Sequence, residues 1–235
     1  EEAVEAVRSL IADRLSGLER ETSLHRLGLG DVGSLEGRRV LVRIDANVDL
    51  RDPEDARRRV GQLVPTLRAL LDRGATPIAC SHLGDPGVAS DSRLSREEIY
   101  EAYSLAPVAR LLGDALGGRL VFHETSVASS GLLVSKRDLA PGTVNMLENL
   151  RFATGEKDND DVFARALAEL SDGWYVNDAF NVCHRRHASI AGVPKFAERR
   201  LAGPLVAREL AVLETLIVEP PRPFVTSIRE AMRLL

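Results

Sequence analysis

The sequence predicts a doubly wound, Rossmann-like α/β fold, in which helices cover both faces of one parallel sheet. Short apolar runs rich in β-branched residues alternate with longer segments of helical periodicity, the order typical of βαβ units. No internal repeat or low-complexity tract interrupts this alternation. The chain has 235 residues, of which 44% are hydrophobic and 28% charged, so it is long enough for a single large α/β domain.

The first half of the chain is predicted to hold an N-terminal helix, three strands and two further helices. Apolar residues recur at helical spacing over residues 3–18, and a polar linker follows to about Gly37. The run from Val40 to Ile44 is rich in β-branched residues and is predicted to be the first strand. The elements that follow are a helix at 57–73 that ends at Gly74, a strand at 76–81, a Gly-, Pro- and Ser-rich loop at 83–92, a helix at 103–116 and a strand at 119–123.

The second half continues the alternation and ends in a proline-rich segment. Pro220, Pro221 and Pro223 break the last long helix. The predicted elements are a strand at 143–148, a helix at 160–171, a strand at 174–176, a basic loop, a short helix near His187, a helix at 204–217 and a strand at 224–228. We therefore divide the chain into an amphipathic helix and linker at 1–23, an α/β domain at 24–218, and a hinge-like segment with a last strand and helical tail at 219–235.

Charge and hydropathy argue against two classes of partner. The formal net charge of −4 and the isoelectric point of about 5.8 disfavour nucleic acid, because binding to a phosphate backbone requires a basic surface. No apolar run approaches the ~20 residues of a membrane helix. The first residues lack the features of a signal peptide, and the two cysteines are too few for a disulfide framework. We therefore expect a cytoplasmic protein without a nucleic-acid or membrane partner.

Polar side chains follow four of the predicted strands. Ligands of open parallel sheets bind beyond the carboxyl ends of the strands, so these residues are candidates for a site. Arginines that converge there are suited to a phosphate or carboxylate, because the guanidinium fork binds either one bidentately. The alternative is that Asn and Asp simply form turns at the strand ends. The candidates are Asp45, Asn47, Arg59, Ser81, His82, Gly84, Glu148, Asn149, Arg151, Asn177, Asp178 and the run His184-Arg185-Arg186-His187.

Two motifs are interpreted as chance matches. Gly28, Gly30 and Gly33 form G-x-G-x-x-G, but a dinucleotide fingerprint follows a strand and opens a helix, whereas this one precedes a strand. The segment from Cys183 to His187 lacks a four-ligand zinc spacing, and the two arginines within it would repel a cation. We therefore predict no metal site and no cofactor held by this chain.

Several motifs, in one order along the chain, resemble the N-terminal half of the phosphoglycerate kinase family. The match runs from about residue 24 to about residue 226. The segments that carry it are V-L-V-R-I-D-A-N-V at 40–48, S-H-L-G at 81–84, S-L-A-P-V-A at 104–109, L-E-N-L-R-F at 147–152, Y-V-N-D-A-F at 175–180 and H-R-R-H-A-S at 184–189.

The resemblance implies a role for each matching residue. The family transfers a phosphoryl group between 1,3-bisphosphoglycerate and Mg-ADP, and its N-terminal half binds the phosphoglycerate. By resemblance, Asp45 and Asn47 hold the substrate hydroxyl, and Arg59 binds substrate and acts catalytically by stabilising charge on the transferring phosphoryl group. The residues implied to hold the distal phosphate are His82, Arg151 and Arg185. The implied ligand is thus a small phosphorylated carboxylate, and Mg-ATP or Mg-ADP would bind to the family's second half.

Three departures from the family pattern leave enzyme activity open. The arginine that follows S-H-L-G in the family is Asp85 here, which replaces a phosphate-binding cation with an anion. Ala46 and Asp49 replace an aromatic residue and a proline, and no glycine-rich nucleotide loop follows Val225. We therefore expect ATP turnover only if a nucleotide-binding domain is supplied, on this chain or as a separate partner. The alternatives are a non-catalytic homologue that senses a phosphorylated metabolite, or a scaffold that binds a protein partner.

Overall fold

A computed structural model describes residues 28–89 and 94–218, and the part described contains a six-stranded parallel sheet and a small antiparallel hairpin. The predicted helix at 3–18 and the predicted strand at 224–228 lie outside these residues. Within the described ranges, no helix is both long and apolar enough to cross a membrane. The strands are β1 Arg39–Arg43, β2 Thr76–Cys80, β3 Leu120–His123, β4 Val127–Ala128, β5 Gly131–Leu132, β6 Val144–Leu147, β7 Trp174–Asn177 and β8 Arg199–Ala202.

The strand order places a switch point beside β1. The sheet runs β3-β6-β2-β1-β7-β8 and all of its pairs are parallel, while β4 and β5 form the hairpin. The chain leaves β1 to build one side of the sheet and later returns to its other side through β7. Ligand crevices of open α/β sheets form at such reversals, outside the carboxyl ends of the strands. The expected crevice therefore lies between the loops that follow β1 and β7.

Some helices begin at residues whose side chains cap the first backbone N–H groups. The Asp52 side chain accepts the backbone N–H groups of Glu54 and Asp55, and Asp160 accepts that of Phe163. The helices are α1 Pro53–Gly61, α2 Val64–Leu71, α3 Pro86–Ala89, α4 Arg96–Tyr103, α5 Ala106–Ala115, α6 Thr154–Lys157, α7 Asp161–Glu169 and α8 Pro204–Val218, with a π-helical turn at Ala188–Gly192.

Alternating side chains of the central strand enter two separate cores, which confirms the doubly wound arrangement. Val40 and Val42 pack with α1, α2 and α5 on one face. Leu41 packs with α7 on the opposite face. Successive residues of a strand point to opposite faces, so a strand buried on both sides reads as a continuous apolar run.

The structure differs from the predicted elements in several places. The β4–β5 hairpin and the short helices α3 and α6 were not predicted, and three other differences have a clear cause in the sequence. The helix predicted at 57–73 is two helices, because Pro65 in the first turn of α2 has no N–H to bond the carbonyl of Gly61. Strand β8 was missed because its sequence, R-R-L-A, contains no β-branched residue. Helix α4 was missed because none of its side chains is buried, which leaves no apolar periodicity to detect.

A carboxylate at the end of β7 anchors the last described helix. Asp178 is buried, and its Oδ1 accepts the backbone N–H of Leu205 at 2.8 Å, in the first turn of α8. Its Oδ2 accepts the hydroxyl of Thr66 in α2. A Cβ at position 203 would lie 2.3 Å from Asp178 Oδ1, so this close approach requires Gly203.

Candidate functional site

The loops that follow β1, β2, β6 and β7 are hydrogen-bonded to one another at the carboxyl edge of the sheet. Asn181 Nδ2 donates to Asp45 Oδ2 at 2.8 Å, which bridges the expected crevice. The backbone N–H of Gly84 donates to Asn47 Oδ1 at 2.8 Å, and Arg151 Nη1 donates to the Gly84 carbonyl at 2.6 Å. Residues far apart in sequence therefore meet at one edge of the sheet, where the crevice is expected.

Gly84 is required at the centre of this arrangement. Its φ of +57° is in the left-handed region, which favours glycine. A Cβ there would also lie 2.5 Å from Cε1 of Tyr103, well inside van der Waals contact. The S-H-L-G segment can therefore turn tightly enough to present both its N–H and its carbonyl to neighbouring loops.

Asp45, Asn47 and Arg59 form one end of the site. Arg59 lies in the last turn of α1, and its Nη2 is 3.8 Å from Asp45 Oδ2, an ion-pair distance that is too long for a hydrogen bond. Asn47 is exposed and Asp45 is partly buried. This end therefore offers a carboxylate, an amide and a guanidinium that can reorient toward a ligand.

His82 lies at the other end, surrounded by positive charge. Its side chain is buried, and its Nδ1 is 2.9 Å from Nη2 of Arg43. Burial, and then the charges of Arg43, Arg151, His187 and Arg185, lower the pKa of His82 to about 2. The imidazole is therefore neutral at physiological pH, and the cations around it create a strongly electropositive region.

Arg151 and Arg185 supply guanidinium groups to this region. The Nε of Arg151 is buried and has no hydrogen-bond partner among the residues that the structure describes. Burial lowers the pKa of Arg151, with a smaller contribution from the positive charge of Arg185. Arg185 is exposed, on the loop after β7. Both groups therefore retain hydrogen-bonding capacity for an anion.

The anion at position 85 has a cation beside it. Asp85 Oδ2 accepts a hydrogen bond from Nζ of Lys157, the last residue of α6, at 2.8 Å. The negative charge of Asp85 also acts on Arg151 and raises its pKa, against the larger effect of burial. The departure from the family pattern therefore introduces an ion pair at the rim of the site rather than an isolated negative charge.

Sequence reasoning missed three residues that support the site from below. Arg43 is buried in β1, and Glu156 and Ser189 are fully buried beside it. The Ser189 hydroxyl donates to Glu156 Oε1 at 2.6 Å, and Arg43 Nε donates to Ser189 Oγ at 3.0 Å. A charged residue inside the apolar run at 40–44 was the signal that could have identified Arg43.

Glu148 and Asn149, which also follow a strand, form the wall of the crevice. Glu148 accepts hydrogen bonds from Tyr100, Ser104 and the backbone of Leu105. Asn149 donates through Nδ2 to the Leu83 carbonyl at 2.7 Å. Both are fully buried and saturated by protein partners, so they hold loops in place instead of contacting a ligand.

The six predicted site residues thus lie at one edge of the sheet, in two groups of three. Asp45, Asn47 and Arg59 occupy one end, and His82, Arg151 and Arg185 the other. Their contacts with a ligand stay predictions. Among the described residues, no group of three or more His, Cys, Asp or Glu side chains is placed to hold a metal ion.

Comparisons with known proteins identify a family. The family model for phosphoglycerate kinase matches residues 29–228. The phosphoglycerate kinase of Desulfosudis oleivorans is 43% identical over 194 residues, which cover 82% of this chain and 46% of that protein. That of Salinispora arenicola is 45% identical over 198 residues, with coverages of 80% and 46%.

Solved structures agree with the sequence matches. The structure of phosphoglycerate kinase from Coxiella burnetii has a TM-score of 0.65 at 32% identity, and the match covers 84% of this chain and 46% of that one. The phosphoglycerate kinase structure from Pyrococcus horikoshii has a TM-score of 0.68 at 24% identity and supports the fold. The chain spans about half the length of the curated relatives it matches.

Proposed function

Since this chain belongs to the phosphoglycerate kinase family and corresponds to its N-terminal half, we propose that its crevice binds 3-phosphoglycerate and 1,3-bisphosphoglycerate. The crevice is the one between the loops after β1 and β7, at the switch point of the sheet. A small phosphorylated carboxylate carries an anion at each end and a hydroxyl between them. One end of the crevice offers guanidinium and imidazole groups for the phosphate, and the other end offers a carboxylate, an amide and a guanidinium group for the hydroxyl and the reacting end.

The observation that carries the proposal is the convergence of cations on a buried neutral histidine. Burial and the charge of Arg43 are the largest causes that lower the pKa of His82 to about 2, and the charges of Arg151 and Arg185 lower it further. Arg151 also has a buried Nε without a hydrogen-bond partner among the described residues. Assembling several cations costs free energy in the empty site, and a bound phosphate would offset that cost. We assign the distal phosphate to these three side chains.

The reacting end of the ligand is assigned to the other three residues. Asp45 and Asn47 bind the hydroxyl, and Arg59 turns from its 3.8 Å ion pair with Asp45 to stabilise the transferring phosphoryl group. Such a transfer depends on positioning and on cationic stabilisation more than on covalent chemistry. The nucleotide is supplied by a second domain in the family, so we expect no ATP turnover from these 235 residues alone.

Calorimetry with 3-phosphoglycerate tests the proposal. We expect the 235-residue chain to bind it in the micromolar range, and Arg151→Ala or Arg185→Ala to weaken binding at least about tenfold, because each removes a charge-assisted hydrogen bond. The matched control is Arg186→Ala, the adjacent exposed arginine, which is not among the principal charges that lower the pKa of His82. It should bind as the unmodified chain does. Absence of heat with 3-phosphoglycerate would refute the proposal.

One observation favours the alternative of a non-catalytic sensor. Asp85 puts a carboxylate next to Arg151, which opposes the binding of a highly charged substrate. A coupled kinase assay with a nucleotide domain of a relative added in trans separates the two functions. Turnover supports the enzyme half-site, whereas binding of 3-phosphoglycerate without any turnover supports the sensor. The scaffold alternative depends on the helix predicted at 3–18 and stays a prediction.

A further inference from the structure

A chain of hydrogen bonds with a defined direction runs beneath the candidate site. Glu156 is fully buried, and its two carboxylate oxygens accept the backbone N–H of Ser189 at 2.9 Å and the Ser189 hydroxyl at 2.6 Å. Because that hydroxyl proton points to Glu156, the lone pairs of Ser189 Oγ are left to accept Arg43 Nε at 3.0 Å. The carboxylate thus orients the guanidinium through a serine.

Arg43 is held on a second side as well. Its Nη1 donates to the Ile44 carbonyl and to Ser81 Oγ, the latter at 3.3 Å. The side chain is 1% exposed, so the guanidinium has a single environment and no contact with bulk water. A planar guanidinium group with hydrogen-bond partners on two sides cannot rotate without breaking several of these bonds at once. Its remaining nitrogen, Nη2, is therefore fixed against His82.

The contact between Arg43 and His82 determines the tautomer of the histidine. Nη2 lies 2.9 Å from Nδ1, and an arginine can only donate a hydrogen bond. Nδ1 must therefore be the acceptor, without a proton, and a neutral ring then carries its proton on Nε2. The two ring nitrogens point to opposite sides, so the Nε2–H group faces away from Arg43. Nε2 donates to no other residue that the structure describes.

We infer that Arg43 is a positioning residue that locks His82 into the Nε2–H tautomer, so that the histidine gives the ligand a neutral hydrogen bond rather than a positive charge. The part of this inference that concerns the ligand rests on the proposed phosphoglycerate site. The charged groups around His82 are Arg43, Arg151 and Arg185, with Glu156 beyond Arg43, and His187 is a titratable neighbour whose own pKa is lowered by burial. The cations all oppose a second proton on the ring, so the bond to the ligand keeps its strength across the physiological pH range.

Long-range 1H–15N correlation spectra of the histidine rings test the tautomer directly. The 235-residue chain contains five histidines, and comparison with a His82→Gln variant identifies the signals of His82. We expect only the Nε2–H form from about pH 5 to about pH 8, since protonation of the ring is suppressed. An Nδ1–H tautomer, a mixture of tautomers, or titration of His82 within that range would overturn the inference.

Two variants test the role of Arg43. Arg43→Lys keeps the charge but cannot donate to Ser189 and His82 together, so we expect a mixture of tautomers. If Arg43→Lys fails to fold, Ser189→Ala is the second variant, because it removes only one hydrogen-bond partner of the Arg43 guanidinium group. We expect it to weaken 3-phosphoglycerate binding about tenfold. Ser171→Ala is the matched control, because it removes a buried serine hydroxyl at the opposite edge of the sheet, before β7. Its binding should be unchanged.

A double-mutant cycle separates positioning from a general structural effect. If Ser189 acts through Arg43 on His82, then Ser189→Ala should change the Kd less than about twofold in a His82→Gln background. An undiminished tenfold loss in that background would overturn the inference. A chain that shows the locked Nε2–H tautomer but no binding of 3-phosphoglycerate would refute the proposed function and uphold the positioning of His82.

Discussion

Replacement of Asp85 by Asn measures how far this anion weakens the candidate site. The variant keeps the shape of the side chain and removes the negative charge that acts on Arg151. At an assumed separation of about 7 Å between a ligand oxygen and the Asp85 carboxylate, two unit charges interact by roughly 2.4 kcal/mol at an effective dielectric of about 20 and by roughly 0.6 kcal/mol in water. Because Lys157 already pairs with Asp85 and both side chains are partly exposed, we expect about 1.4 kcal/mol, a tenfold tighter Kd.

The assay is calorimetry with 3-phosphoglycerate at low salt. Asp85 and Lys157 can also be tested together in a double-mutant cycle. Lys157→Met should weaken binding by a similar factor, because it leaves Asp85 without this cation. The double variant restores a net charge of zero at the pair and should return to within about threefold of the unmodified chain. Asp85→Arg should tighten binding at least about tenfold. All of these differences should shrink as ionic strength rises, since partly exposed charges are screened.

Asp172→Asn also breaks a carboxylate ion pair, with Arg39, but at the amino edge of the sheet, and should not change the Kd. If Asp85→Asn folds normally and binds 3-phosphoglycerate with the same Kd as the unmodified chain, then Asp85 does not act on the ligand. The electrostatic reasoning for this residue would then be wrong.

Two further predictions concern stability. Gly84→Ala should destabilise the fold by about 1–3 kcal/mol in calorimetric unfolding, because its Cβ would lie 2.5 Å from Cε1 of Tyr103 at a positive φ, whereas Gly30→Ala, with nothing within 4 Å, should change stability by less than about 0.5 kcal/mol. Burial raises the pKa of Asp172, but hydrogen bonds from Arg39 outweigh it and hold that pKa at about 2, below its ordinary 3.8. A depressed carboxyl pKa stabilises the fold above the ordinary value and loses this contribution as pH falls toward 2, so Asp172→Asn should reduce the dependence of the unfolding free energy on pH between about 4 and about 2, and an unchanged profile would contradict this assignment.

The sheet could be predicted from the sequence because its central strands are buried on both faces. Such strands must be continuous apolar runs, and Val40–Val42 satisfies that requirement without reference to anything distant in the chain. The edge strand β8 carries no such requirement, because Arg199 and Arg200 are exposed, and it was missed for that reason. The break between α1 and α2 was visible in Pro65 but was overlooked within a strong apolar periodicity.

Part of the candidate site could be predicted from the sequence and part could not. The convergence of Asp45, His82 and Arg151 follows from strand order, since the carboxyl ends of parallel strands share one edge. The pairing of Asp85 with Lys157, 72 residues later, does not follow, because no periodicity reports a contact between two loops. The position of Arg43 inside an apolar run was a signal, but its partners could not be predicted, because only the folded chain brings the buried Glu156 and Ser189 near it.

The last described helix takes its orientation from the border of the crevice. Asp178 follows β7 directly, receives the first N–H groups of α8 and is tied to α2 through Thr66. The side chain that steers the outgoing polypeptide is therefore rooted in the same loop as Asn181, which touches Asp45 across the gap. A displacement of that loop would therefore be transmitted to the N-terminus of α8, because Asp178 binds the backbone N–H groups of its first turn.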